Sequence, residues 1–253
     1  IGMKAKMKGP DVAINVEFFK EHGYFSYKKS SGLGGMSSNT GGKLIAMLSA
    51  GIDSPVAAYR MMRRGARVIF VHFDGYPYTD DAESEHVKDL VKILSEYQKD
   101  TKLYMVPFGE IQKKIATNLD VPAKFRTVLY RRFMIRISEY IARGQEAKGV
   151  VTGDSFGQVA SQTPENMFAI HEVSKIPLYQ PLIGYDKEEI IRLAEKIGTY
   201  EISKLPCKDT CSMFMPKNPE IKAKIKDVKE YESKLPVEEW VKGAAKESTV
   251  LFF

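Results

Sequence analysis

The residues from Ser49 to Ser54 combine small, hydroxyl-bearing and acidic side chains in a pattern typical of a phosphate-binding loop. They read Ser-Ala-Gly-Ile-Asp-Ser. Small residues let the backbone approach a ligand closely, and the unpaired amides at the start of a following helix favour an anion. Ser49 and Ser54 add hydroxyl groups, while Asp53 could cap the helix and hold a magnesium ion that bridges phosphates. The alternative interpretation is an ordinary strand-to-helix turn.

Two cysteines, Cys207 and Cys211, form a second set of residues that could carry chemistry. Their spacing is C-x3-C. A zinc site is disfavoured because two thiolates need two further ligands, and no local histidine pair supplies them. The thiols could be spectators or could form a disulfide in a hot or oxidising setting. So few cysteines argue against a secreted disulfide framework and predict a cytoplasmic protein.

Short apolar runs alternate with longer amphipathic segments from Lys43 onward, and these elements must position the loop. Strands are predicted at 44–48, 68–73, 103–107 and 149–152, and helices at 54–64, 82–97, 111–119, 124–143 and 187–197. The unbroken apolar runs predict strands that are buried on both faces. Alternation of strands and helices predicts an α/β fold with a doubly wound parallel sheet. Ligands bind such sheets at the carboxyl ends of the strands, where the loop would lie.

The sequence divides into three parts by composition. Residues 1–42 contain one predicted strand at 12–18 and a loop or linker rich in Gly, Ser and Asn at 30–42. Residues 43–205 contain the alternating elements, and residues 206–253 contain the cysteines and a predicted helix at 216–235. The lysines of that helix, Lys222, Lys224 and Lys226, are interpreted as a solvated face rather than an RNA groove.

The composition is typical of a globular protein, with 43% hydrophobic and 28% charged residues. A formal net charge of +6 permits a polyanionic partner without establishing one. Apolar runs such as 68–73 are far too short to cross a bilayer, and we expect neither a leader peptide nor a membrane partner. The opening Ile-Gly-Met indicates that the chain could be a fragment.

The loop resembles the pyrophosphate-loop motif Ser-Gly-Gly-x-Asp-Ser of ATP pyrophosphatases, which adenylate a substrate and release pyrophosphate. Further motifs make the chain similar to the tRNA 4-thiouridine synthetase (tRNA sulfurtransferase) family. The longest is Thr-Gly-Asp-Ser-Phe-Gly-Gln-Val-Ala-Ser-Gln-Thr at 152–163, and others lie at 53–57, 72–73, 131–134, 181–187 and 197–199. The resemblance covers roughly residues 11–219. It implies an adenine-nucleotide α-hydrolase-like domain at 43–205, and at 1–42 the last part of a THUMP-type RNA-binding domain.

The resemblance also implies roles for individual residues. Those implied to bind ATP are Met47, Leu48, Ser49, Gly51, Asp53, Ser54, His72, Phe73, Arg131, Gly153 and Gln162. His72 and Phe73 would lie against the adenine and ribose. Those implied to be catalytic are Asp53, Lys187, Cys211 and Cys207. Lys187 would neutralise charge on the phosphates, and Cys211 would form a disulfide with a persulfide-bearing cysteine, with Cys207 as an additional thiol.

Four residues in or near these motifs need separate interpretation. Either Arg131 or Arg132 could clamp a phosphate; we expect Arg131 to contact ATP and Arg132 to lie on an exposed helix face. Asp186 is predicted to cap the helix at 187–197. Ala50 replaces the second glycine of the motif, and it would be strained if that position required a positive φ.

The family resemblance implies an ATP-dependent enzyme that adenylates a tRNA uridine and replaces its 4-oxygen with sulfur, giving 4-thiouridine. ATP and Mg²⁺ are the implied cofactors, and no further metal site is expected. The implied partners are tRNA, a cysteine desulfurase or other persulfide or sulfide donor, and a second copy in a homodimer. Sulfur supply for thiamine thiazole synthesis is a further implied role. The alternatives are another pyrophosphate-loop tRNA-modifying enzyme and a non-catalytic nucleotide- or RNA-binding module.

Overall fold

The computed structural model of the protein describes residues 6, 8–79, 81–206 and 214–253. They form two compact units, divided after Gly35. The first unit contains a hairpin of the antiparallel strands β1 (Asn15–Phe19) and β2 (His22–Ser26). The predicted strand at 12–18 overlaps β1. We did not predict β2, because Gly23 and the polar residues around it interrupt the apolar alternation on which strand prediction depends.

The second unit is built on a six-stranded sheet within the described residues. Its strands are β3 (Lys43–Met47), β4 (Arg67–Asp74), β5 (Lys102–Pro107), β6 (Val150–Val151), β7 (Leu178–Tyr179) and β8 (Thr249–Phe252). Their order is β7-β6-β3-β4-β5-β8, and only the β5–β8 pair is antiparallel. The predicted doubly wound α/β fold is confirmed, with β7 and β8 as additional edge strands.

Helices cover both faces of this sheet. They are α1 (Asp53–Met62), α2 (Ala82–Ser95), α3 (Gly109–Thr117), α4 (Arg126–Gly144), α5 (Pro164–His171), α6 (Lys187–Ile197), α7 (Tyr200–Ser203), α8 (Ile225–Glu232) and α9 (Val237–Glu247). Successive strand residues point to opposite faces, so Ile45 packs in one core and Leu44 in the other. The Ile45 core is completed by α3, α4, α5, α8 and α9, and the Leu44 core by α1, α2 and α6. None of the helices in the described residues is both long and apolar enough to span a bilayer.

The predicted helix at 216–235 is wrong over its first half. Only α8 is helical there, and it begins at Ile225. Pro216 and Pro219 interrupt the earlier part, because proline lacks an amide donor and restricts the residue before it to extended conformations. Pro236 precedes α9, which together with β8 was not predicted.

The prediction that Arg132 lies on an exposed helix face is also wrong. Arg132 is completely buried, and its Nε and Nη2 atoms donate to Glu232 Oε1 and Oε2 at 2.9 and 2.7 Å. Arg136 Nη2 donates to the same Oε2 atom at 2.8 Å. Burial alone would raise the pKa of Glu232, but the two arginines outweigh it and the pKa is lowered. This ion-pair network joins α4 to α8, so the C-terminal helices are fixed to the centre of the fold.

Candidate functional site

A cavity of about 380 Å³ lies at the carboxyl ends of β3, β4 and β6. The chain passes from β3 to β4 on one side and places β6 on the other, so the cavity lies where the strand order reverses. This is the usual ligand position in an open α/β sheet. Every residue that the sequence implied as an ATP contact lines it: Met47, Leu48, Ser49, Gly51, Asp53, Ser54, His72, Phe73, Arg131, Gly153 and Gln162.

The loop from Ser49 to Ser54 is closed by hydrogen bonds between its two ends. The Ser49 amide donates to Ser54 Oγ at 2.9 Å, and Ser54 Oγ donates to the Ser49 carbonyl at 3.1 Å. Gly51 N donates to Ser49 Oγ at 3.3 Å. The serine hydroxyls therefore hold the loop in shape before any ligand binds.

The start of α1 carries no side-chain cap within the described structure. Ile52 is the N-cap residue and Asp53 is the first residue of the helix, so the prediction that Asp53 caps it is wrong. First-turn amides that no side chain satisfies remain available to an anion. Ala50 is buried and its φ lies outside the left-handed region, so alanine is accommodated there without backbone strain.

Lys187 reaches this helix start from a distant part of the chain. Its Nζ atom donates to Asp53 Oδ1 at 2.6 Å, and Gln158 Nε2 lies 3.5 Å from Asp53 Oδ2. Lys187 is the first residue of α6, whose N-cap is Asp186, as predicted. Glu189 completes a capping box by accepting from the Asp186 amide at 2.9 Å. The cap therefore fixes the backbone from which Lys187 extends.

Gly153 brings the end of β6 against the loop. A Cβ atom at this position would lie 2.8 Å from the Ser54 amide nitrogen and 2.9 Å from Ser54 Cα. Such distances are too short for any side chain without movement of the backbone. The glycine therefore allows the 152–163 segment to pack directly on the first turn of α1.

Asp154 is a cavity carboxylate that accepts hydrogen bonds from several side chains. Arg131 Nη2 donates to both of its oxygens at 2.6 and 2.8 Å, and Thr152 Oγ1 donates to Oδ2 at 2.7 Å. Gln162 Nε2 donates to Oδ1 at 3.2 Å. Burial alone would raise the pKa of Asp154, but the Arg131 charge and these donors outweigh it, and the pKa is about 2. The guanidinium of Arg131 is thus already paired inside the protein.

His72 joins the ends of two strands beneath the cavity. Its ring is buried, and Nδ1 lies 3.0 Å from the Leu48 carbonyl oxygen. Because a carbonyl only accepts, Nδ1 carries the proton of this contact. The ring orientation is therefore set by the backbone that follows β3.

Sequence reasoning assigned no individual role to several residues that line the cavity. Six of them lie in the motifs at 131–134 and 152–163, namely Met134, Thr152, Asp154, Val159, Ala160 and Ser161, and four lie outside any motif, namely Glu83, Thr127, Tyr130 and Met215. Thr127, Tyr130 and Met134 share the face of α4 that carries Arg131, at helical spacings of three and four residues. That spacing could have identified them once Arg131 was assigned.

The two cysteines, Cys207 and Cys211, lie outside the described residues. The stretches on either side reach the site, since Ser203 Oγ donates to the Gly51 carbonyl at 3.3 Å and Met215 lines the cavity. Within the described ranges, no group of three or more His, Cys, Asp or Glu residues could hold a metal ion.

The strand order and the cavity at its reversal define an α/β protein of the doubly wound class. A family model described as Thiamine biosynthesis protein (ThiI) matches residues 39–237, and the chain belongs to this family. It is 43% identical over 252 residues to the probable tRNA sulfurtransferase of Thermus thermophilus, covering 100% of this chain and 62% of that protein. The corresponding protein of Geobacillus kaustophilus is 40% identical over 250 residues, with 99% and 62% covered. The chain thus spans about 62% of the length of these relatives.

Solved structures support the same grouping. A crystal structure of a 4-thiouridine synthetase–RNA complex with bound ATP superposes with a TM-score of 0.91 at 35% identity, covering 99% of this chain and 65% of that one. NMN synthetase from Francisella tularensis superposes with a TM-score of 0.52 at 13% identity, covering 81% of this chain and 84% of that one, and shows a shared fold alone.

Proposed function

We propose that this chain is the ATP-dependent core of a tRNA sulfurtransferase, which adenylates a tRNA uridine and exchanges its 4-oxygen for sulfur to give 4-thiouridine. The observation that carries this proposal is the cavity at the start of α1, where all the ATP-contact residues implied by the sequence meet. The similar 4-thiouridine synthetase, which has been solved with RNA and ATP, supports the assignment.

The triphosphate belongs at the loop from Ser49 to Ser54. Uncapped amides at the start of α1 favour an anion, and the ammonium group of Lys187 lies beside them. In the proposed reaction the uridine 4-oxygen bonds to the α-phosphorus, and the bond to the β-phosphate oxygen breaks to release pyrophosphate. Lys187 would stabilise the charge that develops on the phosphates, and such a contact is commonly worth about 3 kcal/mol.

Magnesium fits this site as an ion bound mainly by phosphate oxygens and water. Mg²⁺ is usually held by one or two carboxylates together with substrate phosphates, and Asp53 is the carboxylate at the helix start. When bound, the ion would neutralise charge on the leaving pyrophosphate.

The adenosine is proposed to lie near Phe73 and near Gln162, which shares Asp154 with Arg131. Arg131 is paired with Asp154 and so brings little net charge there. The uncapped amides at the start of α1 therefore favour phosphates at the loop, and a neutral base is proposed beside the Arg131–Asp154 pair.

The sulfur steps are proposed to use Cys211 and Cys207. The terminal sulfur of a donor persulfide would bond to uracil C4, with AMP leaving on the original oxygen. A thiolate of the chain would then break the sulfur–sulfur bond, leaving a disulfide that a cellular thiol reduces. The proposed partners are tRNA, a cysteine desulfurase or other persulfide or sulfide donor, and a second copy of the chain. We also propose a cytoplasmic location and a role in sulfur supply for thiamine thiazole synthesis.

A combined assay tests this function. The chain is incubated with ATP, magnesium, unmodified tRNA and sulfide, while pyrophosphate is measured and tRNA nucleosides are identified by mass spectrometry. We expect tRNA-dependent pyrophosphate release, and 4-thiouridine only when a sulfur source is present. ATP binding without pyrophosphate release would favour a non-catalytic module, and a different modified nucleoside would favour another pyrophosphate-loop enzyme.

A further inference from the structure

We propose that Arg60 and Tyr185 are positioning residues for Lys187: their contact fixes the chain that leads into α6 and so holds the Lys187 ammonium group at the start of α1. The inference rests on the proposed function, because it concerns the lysine that would stabilise charge on the phosphates. It adds to the proposed machinery two residues that do not line the cavity.

The first step of the argument is the contact itself. Arg60 lies in the last turn of α1, and its guanidinium carbon lies 4.3 Å from the centre of the Tyr185 ring. Its Nη1 atom also donates a hydrogen bond to Tyr185 Oη, and both residues are half-buried. A planar guanidinium can approach an aromatic ring and donate hydrogen bonds, so Arg60 holds the tyrosine side chain in two ways.

The second step is that α1 contacts the same stretch of chain at two points. Asp53 and Arg60 are seven positions apart, so they lie on one side of α1 and about 10 Å apart along its axis. Asp53 accepts a hydrogen bond from Lys187, and Arg60 donates one to Tyr185, two positions earlier in the chain. The helix therefore holds both the lysine and the turn from which it extends.

The third step is that the other anchors of this turn do not set its position along α1. Ser155 Oγ donates to the Tyr185 carbonyl oxygen at 3.2 Å, and the Asp186 cap shapes the first turn of α6. The two helices also share the Leu44 core, but apolar packing is non-directional and allows packed helices to slide by small distances. The Arg60–Tyr185 contact is directional, so it can define where α6 begins relative to α1.

This position matters because Lys187 has a long and flexible side chain. Its ammonium group pairs with Asp53 at 2.6 Å in the protein without ligand, and it must stay within reach of the phosphates during the reaction. A displacement of about 1 Å can slow a reaction by about 100-fold, even when its cause lies far from the reacting atoms. Since the lysine would act mainly on charge that develops in the transition state, we expect the contact to affect the rate more than ATP binding.

The experiment measures the rate of pyrophosphate release in a single turnover with tRNA, magnesium and saturating ATP, and Kd for ATP by calorimetry. Arg60→Ala and Tyr185→Leu should each slow release by about tenfold, while Kd changes by less than about twofold. Tyr185→Phe keeps the ring and should slow release by less than about threefold. Arg64→Ala, at an exposed arginine just after the same helix, is the matched control and should behave as wild type.

A double-mutant cycle tests whether the two residues act through Lys187. In the Lys187→Ala background, neither Arg60→Ala nor Tyr185→Leu should slow release any further, because no ammonium group remains to be positioned. A general structural effect would instead slow release by a further factor of about ten. That result would overturn the inference.

The remaining outcomes separate this inference from the proposed function. Wild-type release by Arg60→Ala and Tyr185→Leu, or a loss explained entirely by weaker ATP binding, would overturn the inference and leave the function standing. No tRNA-dependent release by the wild type would overturn both. If one variant does not fold, as judged by its melting temperature, the other provides the same test. If release by Lys187→Ala is too slow to measure, the division of effects between rate and Kd in the single variants decides.

Discussion

Lys187 Nζ lies 2.6 Å from Asp53 Oδ1, although 134 positions separate the two residues. Each residue is the first of its helix, α1 for Asp53 and α6 for Lys187. This ion pair links α6, whose N-terminus is satisfied by a capping box, to the uncapped N-terminus of α1. The Asp53 carboxylate already compensates the Lys187 ammonium group, so a triphosphate must share or displace this contact to engage Lys187.

Replacing Lys187 should slow adenylation much more than it weakens ATP binding. We expect Lys187→Ala to reduce tRNA-dependent pyrophosphate release by about 100-fold or more, because charge develops on the phosphates mainly in the transition state. Asp53→Ala should also abolish 4-thiouridine formation. Lys196→Ala, at an exposed lysine of the same helix, is the matched control and should behave as wild type. Normal thiolation in Asp53→Ala or Lys187→Ala would refute the role assigned to that residue.

Gly153→Ala should distort the phosphate loop. The new methyl group would lie 2.8 Å from the Ser54 amide nitrogen, so the first turn of α1 must move. We expect ATP affinity to fall by at least about tenfold, a loss of about 1.4 kcal/mol, as measured by calorimetry.

Gly243→Ala is the control for Gly153→Ala, because an added Cβ there meets nothing within 4 Å. We expect unchanged ATP binding. Because Gly243 lies within α9, alanine should also raise the free energy of unfolding by about 0.5–1 kcal/mol through its higher helix propensity. Retention of wild-type affinity by Gly153→Ala would show that the close approach does not shape the loop.

Glu232→Gln should destabilise the fold strongly. The carboxylate is the closer of two ion-pair partners of the buried Arg132 and also contacts Arg136. Among the described residues, its neutralisation leaves Arg132 with only the part-exposed Glu172, at 3.3 Å, as an ion-pair partner. We expect the free energy of unfolding, from urea titration at pH 7, to fall by about 3 kcal/mol. Glu230→Gln, an exposed change on the same helix, should change it by less than about 0.5 kcal/mol. Similar values for both variants would contradict a structural role for the network.

Asp154 should make the protein sensitive to acid. Its folded pKa is about 2 against an ordinary value of 3.8. A lowered folded pKa gives stability that is complete above the unfolded pKa and is lost as the pH falls towards the folded pKa. The difference in free energy of unfolding between wild type and Asp154→Asn should therefore be constant above about pH 5 and shrink towards pH 2.

The titration of His171 also changes the free energy of unfolding with pH and must be separated from that of Asp154. Burial is the main cause that lowers its pKa, so its protonation destabilises the folded state as the pH falls below its ordinary value of 6.5. Because wild type and Asp154→Asn both retain His171, most of its effect on the difference in free energy of unfolding cancels. Repeating the comparison between His171→Gln and the double variant Asp154→Asn/His171→Gln removes the part that depends on His171. A difference between wild type and Asp154→Asn that does not change with pH would contradict the ionised, stabilising state of Asp154.

The central strands could be predicted because burial on both faces leaves unbroken apolar runs. The predictions for β3, β4 and β5 are each within one residue of the observed ends, and α6 was predicted at its observed bounds. The two-residue β7 and the edge strand β8 were missed, since their pairing depends on contacts with distant strands rather than on local pattern.

The candidate site was predictable where a motif lies at a strand end and not where its residues depend on tertiary partners. Ser49, Gly51 and Ser54 follow β3 directly, so their position could be deduced from topology. The burial of Arg132 could not, because its partner Glu232 lies 100 positions away. The central place of Asp154 likewise depends on two donors distant in sequence, Arg131 on α4 and Gln180 after β7, that no local pattern reveals.

The closed loop between Ser49 and Ser54 has a consequence for how quickly a ligand can associate. Since its hydrogen bonds exist without a ligand, the conformational entropy of these residues is lost during folding and not during complex formation. Capture of a polyphosphate then requires no rearrangement of the backbone at this corner. Its association rate would be governed by diffusion and electrostatic attraction, and would decline as ionic strength rises.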